Sequence, residues 1–159
     1  MKRKVKKVQG GFTLIEILVV IGIIAVLAAI VIIAINPARQ FAQSRDTQRT
    51  SNLNAILNAV GQRTADNKGI FAGDFLTVSG ATTTCPTLPA VPTIIQLGGG
   101  FNLDCLVPTY ISALPTDPTL GTATTTGYKI EKSPDGRIHV YADAQELDIP
   151  RTAAITIVR

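Results

Sequence analysis

The stretch GGFTLIEILVV, residues 10–20, opens an apolar run that reaches Ile35 and is broken only by Thr13, Glu16 and Gly22. As a helix, residues 12–35 extend about 36 Å, enough to cross a bilayer core of about 30 Å. The run is too long for the apolar region of a cleaved secretory signal, and no A-x-A-type cleavage pattern follows it. A single membrane span is therefore expected, with the residues after 36 on the outer side. A carboxylate at the middle of such a span costs about 2.5–3.5 kcal/mol, and less near its end. Glu16 accordingly needs either the interface or a partner.

Charge is distributed to the same effect. Five of the 15 basic residues (Lys2, Arg3, Lys4, Lys6 and Lys7) precede the span, and the remaining 10 face 11 acidic ones. The net charge of +4 thus belongs to the leader, which the positive-inside rule keeps on the cytoplasmic side. A head close to neutral has no phosphate-binding surface, which argues against a nucleic-acid partner.

Beyond the span the chain turns polar without losing helical character. Leu53, Ile56, Leu57 and Val60 recur at i, i+3, i+4 and i+7, an apolar stripe that seats a globular head. Residues 43–52 hold no large apolar side chain and read as a solvated face or a subunit contact. Residues 12–68 are thus expected to form one long helix, kinked or briefly broken at Pro37, where a helical hydrogen bond is lost. Asn67-Lys68-Gly69 supplies its C-cap. Residues 69–159 are the head. Prolines, threonines and a Gly triplet mark 70–105 as loop with short elements at most, and a short helical turn is expected within LVPTYISALPTDP. Tyr128 and Ile130, then Ile138 and Val140, flank the turn Ser133-Pro134-Asp135-Gly136, the pattern of a hairpin. AAITIVR reads as a last strand. The expected fold is α+β, a long helix against a small antiparallel sheet.

Cys85 and Cys105 are expected to pair if the head is exported to an oxidising compartment. Two cysteines and a distant His139 do not make a zinc set. No cofactor motif is present.

The junction before the span carries the chemistry. Gly11 gives a protease access to the backbone, and cutting after it removes residues 1–11 and leaves a charged amine on Phe12. That amine, on a neighbouring copy, is a natural partner for Glu16. With these residues in place, GGFTLIEILVVIGIIAVLAAI resembles the N-terminal signature of type IV pilins and pseudopilins. The resemblance covers residues 2–35 and matches Gly11, Phe12, Thr13, Leu14, Ile15 and Glu16. It implies cleavage after Gly11 by a prepilin peptidase and methylation of the Phe12 amine. It further implies extraction by assembly machinery from the cytoplasmic membrane into a homopolymeric filament at the cell surface. Small residues Gly22, Ala25, Ala28 and Ala29 would let helices approach closely.

A second stretch, YISALPTDPTLGTATTTGYKI, is similar to the LP-x-DP…GY region of major pseudopilins, although Thr119 and Leu120 stand where an aromatic residue and Gly are usual. Some pseudopilin heads bind calcium, which makes Asp117 a candidate ligand; its local role would be to cap a turn before Pro118. Pseudopilins of secretion or DNA-uptake systems are the alternative function, and DNA would be a partner only in the latter. A membrane-anchored binding module that never polymerises is the other. No enzyme is expected, since none of the five serines lies in a nucleophile motif and His139 has no evident catalytic partner.

Overall fold

The computed structural model describes residues 11–76, 80, 82–143 and 154–159, with Ile35 and Leu76 defined by backbone alone. The basic leader up to Gly10, Ser79 and the first residue of AAITIVR lie outside the described residues. The chain divides into two compact units, Met1–Gln40 and Phe41–Arg159.

The first unit is built on helix α1, Leu14–Ile35. Its Leu14–Ala34 stretch has a mean hydropathy of 3.5 and no buried residue, long and apolar enough to cross a membrane. Helix α2, Pro37–Asp66, follows after a single residue. Asn36 punctuates both helices. It takes a left-handed φ of 46° as the C-cap of α1, a conformation asparagine tolerates better than most residues. Its Oδ1 accepts the Arg39 N–H at 3.4 Å, an N-cap bond for α2. Pro37 then occupies the first helical position, where its missing N–H costs nothing. The expected break at Pro37 is therefore present, as a two-helix junction.

The second unit takes in α2 from Phe41 onward. The stripe Leu53, Ile56, Leu57 and Val60 is at most 2 % exposed and forms one buried cluster with Tyr128, Ile130, Val140 and Ala142. These four alternate along β4 (Thr125–Lys132) and β5 (Ile138–Ala142), so one sheet face carries the core. With β3 (Thr93–Gln96) and β6 (Ile155–Val158) they make an antiparallel meander in the order β3-β4-β5-β6. The expected β4–β5 hairpin is present, with Ile130 opposite Val140. Its turn closes through Gly136, at φ 86°, whose N–H donates to the Ser133 carbonyl at 2.9 Å. Helix α2 ends as the sequence suggests: the Gly69 N–H reaches back to the Thr64 carbonyl at 2.8 Å, with Lys68 left-handed between them.

The stretch 70–105 is more ordered than its composition suggests. Strands β1 (Gly73–Leu76) and β2 (Thr82–Cys85) pair with each other, and β3 lies along the sheet edge with Ile95 fully buried. Prolines 86, 89 and 92 fall outside these strands, so they separate the elements without interrupting any ladder. The helical turn expected in LVPTYISALPTDP begins slightly earlier, as a 3₁₀ turn over Asp104–Leu106, and continues with Tyr110 N–H bonded to the Leu106 carbonyl at 2.8 Å.

Cys85 and Cys105 form a disulfide with Cα atoms 5.3 Å apart, joining β2 to the 3₁₀ turn inside the core. The bridge closes a loop of sequence separation 20, worth about 3 kcal/mol in the chain-entropy model. Replacing both cysteines by serine is expected to lower head stability by about that much, read as a drop in the urea midpoint of the detergent-solubilised chain. In the native chain both thiols should resist alkylation until it is reduced.

Candidate functional site

Gly11, Phe12 and Thr13 precede α1 without regular structure, and all are exposed. A Cβ built at Gly11 would meet nothing within 4 Å. The glycine is thus not dictated by crowding within this chain. Gly11 and Phe12 are both exposed and lie outside the helix that a protease would otherwise have to unwind. Phe12 is 85 % exposed.

Thr13 and Glu16 form a capping box, the N-terminal device in which two side chains satisfy each other's orphan backbone donors. The Glu16 N–H donates to Thr13 Oγ1 at 3.3 Å, and the Thr13 N–H donates to Glu16 Oε2 at 2.7 Å. The Thr13 hydroxyl donates to the same oxygen at 2.7 Å. Glu16 therefore sits at the positive end of the α1 dipole. Its carboxylate already has partners in its own chain, one residue from the amine that cleavage would create. Besides the membrane interface and a neighbouring copy, Glu16 thus has a third partner, the N-terminus of its own helix. The signal was present as T-L-I-E, a Thr-x-x-Glu pattern directly before an apolar run.

On α1, the spacing of Gly22, Ala25, Ala28 and Ala29 places them within one side of the helix. This is the geometry that close helix approach requires.

Asp117 lies elsewhere, in the second unit, and it revises the reading of residues 43–52. That stretch was expected to be a solvated face or a subunit contact, yet Asp46 is buried and Arg49 is completely so. Arg49 Nε donates to Asp117 Oδ2 at 2.8 Å and its Nη1 to Asp46 Oδ1 at 2.7 Å. Asp117 Oδ1 also accepts the N–H groups of Thr119 and Leu120, at 2.8 and 2.9 Å. The expected turn cap is present and is held by a buried cation. Asn52, one turn further along α2, donates to Tyr128 Oη at 2.8 Å and to the Thr116 carbonyl at 3.3 Å. The loop after Leu114 is thereby pinned to α2 by polar side chains, which apolar periodicity cannot reveal. Gly127 completes the fit: at φ 78°, its added Cβ would come 2.8 Å from the Asp117 Cβ.

Burial pushes the Asp117 carboxyl up, but the bonds from Arg49, Leu120 and Thr119 together outweigh it and hold the group below the ordinary carboxylate range. The Asp117 side chain has no exposed surface, and its charge is met by Arg49. It does not fit a calcium site. Among the described residues, no group of three or more His, Cys, Asp or Glu side chains is arranged to hold a metal. His139 stacks on Tyr141 with ring centroids 6.0 Å apart, and the Tyr141 hydroxyl donates to Glu131.

Comparison with known proteins bears on the N-terminal segment. Residues 6–35 match the family model described as the prokaryotic N-terminal methylation motif. The matched segment contains Gly11, Phe12, the capping box and all of α1. No curated protein and no solved structure matches the chain.

Proposed function

Taking this methylation motif as the start of a type IV pilin-like precursor, we propose that the chain is a structural subunit of a type IV pilus-like filament. The observation that carries the reading is the conjunction at residues 11–16: an open Gly11–Phe12 bond, then a capping box, then a wholly uncovered apolar helix. The precursor waits in the cytoplasmic membrane with its head outside. A prepilin peptidase cuts after Gly11, and the Phe12 amine is methylated. Assembly machinery then moves α1 from lipid into a helical homopolymer, where copies of α1 cover one another. Such a contact joins different surfaces of identical subunits and does not close on itself, so it propagates.

Cleavage changes the electrostatics of the capping box. Before it, Glu16 caps its own helix at the membrane surface. Afterwards a cationic amine stands next to Thr13, and Glu16 has a charged partner available in its own chain or a neighbour's. A pair formed with the neighbour's amine neutralises both charges and sets the register between subunits. Among the described residues of the head nothing argues for catalysis, and we read the chain as no enzyme.

Mass spectrometry of the mature chain tests the processing directly. Phe12 should be the first residue and should carry a methyl group. A mature chain that retains Met1, or one that starts beyond Ile35, would sink the reading.

A further inference from the structure

Alternation along β4 turns Tyr128, Ile130 and Lys132 to one side of the sheet, the side that carries the core. Tyr128 and Ile130 are fully buried there. Lys132 ends the strand and takes the next position in that row, opposite Ile138, which packs on the core. A cation in a row that otherwise buries apolar side chains calls for water or an anion. Among the described residues no ion pair engages Lys132. The neighbouring Glu131 lies on the other face and accepts the Tyr141 hydroxyl. Beside Lys132 is a cavity of about 260 Å³. It opens where three segments meet: the chain leaving α2 at Gly69 and Ile70, the chain leaving β2 at Thr87 and Leu88, and the end of β4. Phe71 and Leu88 belong to the buried core cluster and give the cavity apolar walls. Ile70 also lines it and is 60 % exposed, so the cavity reaches solvent. The Lys132 N–H donates to the Pro89 carbonyl at 2.7 Å, which ties the strand end to the segment carrying Leu88.

We propose that this cavity binds a small monocarboxylic acid with an apolar body. Lys132 meets the carboxylate, and Phe71, Leu88 and Ile70 surround the body. Volume sets the size of the ligand. Drug-sized sites run to about 300–1,000 Å³, and this cavity falls below that range, so its ligand has a body of about one aromatic ring. Charge sets the head group. A lysine without an internal counter-ion forms a charge-assisted hydrogen bond to an anion. One ammonium balances one carboxylate, whereas a phosphate group carries close to two charges. The walls set the rest, because apolar side chains reward burial of an apolar body and leave the hydroxyls of a sugar unbonded. The site lies wholly in the head, apart from residues 11–35, and stands or falls independently of the filament reading.

The test titrates the full chain, purified in a non-ionic detergent and isotope-labelled at its leucine and isoleucine methyl groups, with phenylacetate. Saturable shifts are expected at the Leu88 and Ile70 methyls, with a Kd below about 1 mM. Phenylacetamide has the same shape without the charge and should bind at least about tenfold more weakly. Lys132→Met keeps an unbranched stem and removes the ammonium. It should weaken phenylacetate at least about tenfold and leave phenylacetamide unchanged, while Lys132→Arg, which keeps the charge, should stay within about threefold of the wild type. Lys132 is exposed, so both variants should retain the wild-type urea midpoint. Thr87→Trp, at an exposed lining position, should fill the cavity and abolish the shifts from both probes. The site is overturned by the absence of a saturable shift at Leu88, by equal affinity for acid and amide, or by undiminished phenylacetate binding in either Lys132→Met or Thr87→Trp.

Discussion

Glu16→Ala and Glu16→Gln are both expected to insert in the membrane and to be cleaved after Gly11, yet to assemble at least about tenfold less well than the wild type, equivalent to about 1.4 kcal/mol per contact or more. The two substitutions separate the roles of the carboxylate. Glutamine at this position preserves a capping box, because its amide oxygen still accepts the Thr13 N–H. Alanine removes the side-chain half of the box and leaves the Thr13 N–H an orphan donor, while Thr13 Oγ1 still accepts the backbone N–H of residue 16. Neither residue can neutralise an ammonium group. If the charge on Glu16 pairs with the Phe12 amine during assembly, the two variants fail alike. If Glu16 serves only to cap α1, glutamine restores filaments and alanine does not. Filament yield by electron microscopy, with N-terminal mass analysis of the membrane pool, reads both steps. Wild-type yield from Glu16→Gln would remove the charge pair from the mechanism and keep the capping box.

The second large effect lies in the head. Asp117→Ala leaves the Arg49 guanidinium fully buried with the Asp117 carboxylate gone. Breaking a buried pair from one side costs about 3–5 kcal/mol; because Asp46 remains on Nη1, the lower end is expected, measured as lost urea stability. Arg49→Met with Asp46→Asn and Asp117→Asn should recover most of the loss, since no buried charge of the cluster then loses its partner and an amide oxygen at 117 still accepts the Thr119 and Leu120 N–H groups. A triple variant no more stable than Asp117→Ala would show that the loop needs the charged cluster itself and not mere compensation. The pH dependence follows from the same contacts. The folded pKa of Asp117 is depressed, so its contribution is present above the unfolded value and is lost as pH falls through the folded one. The wild-type head should weaken in acid below about pH 4, and Asp117→Asn should flatten that loss.

How much of this was legible beforehand depended on the kind of interaction. Apolar periodicity marked the span, the Leu53–Val60 stripe and the β4–β5 hairpin, because solvent exclusion acts on each residue according to its position in the repeat. Local turn chemistry marked the Asn36-Pro37 break and the Gly69 cap, because backbone conformation is decided by a few neighbours. The β3 strand was hidden because four residues between Pro92 and a glycine triplet carry too short a pattern. Its strand character comes from pairing with β4, distant in sequence.

By itself, then, the sequence determined an N-terminal methylation motif, a membrane-length helix, a second helix with one apolar stripe, and a small antiparallel sheet. Each of these is written in contiguous residues. The tertiary structure alone decided what the polar residues do. It turned Arg49 inward to Asp117, 68 residues away. Whether a charged side chain is solvated or buried depends on what chain folding brings against it, and no local pattern records that.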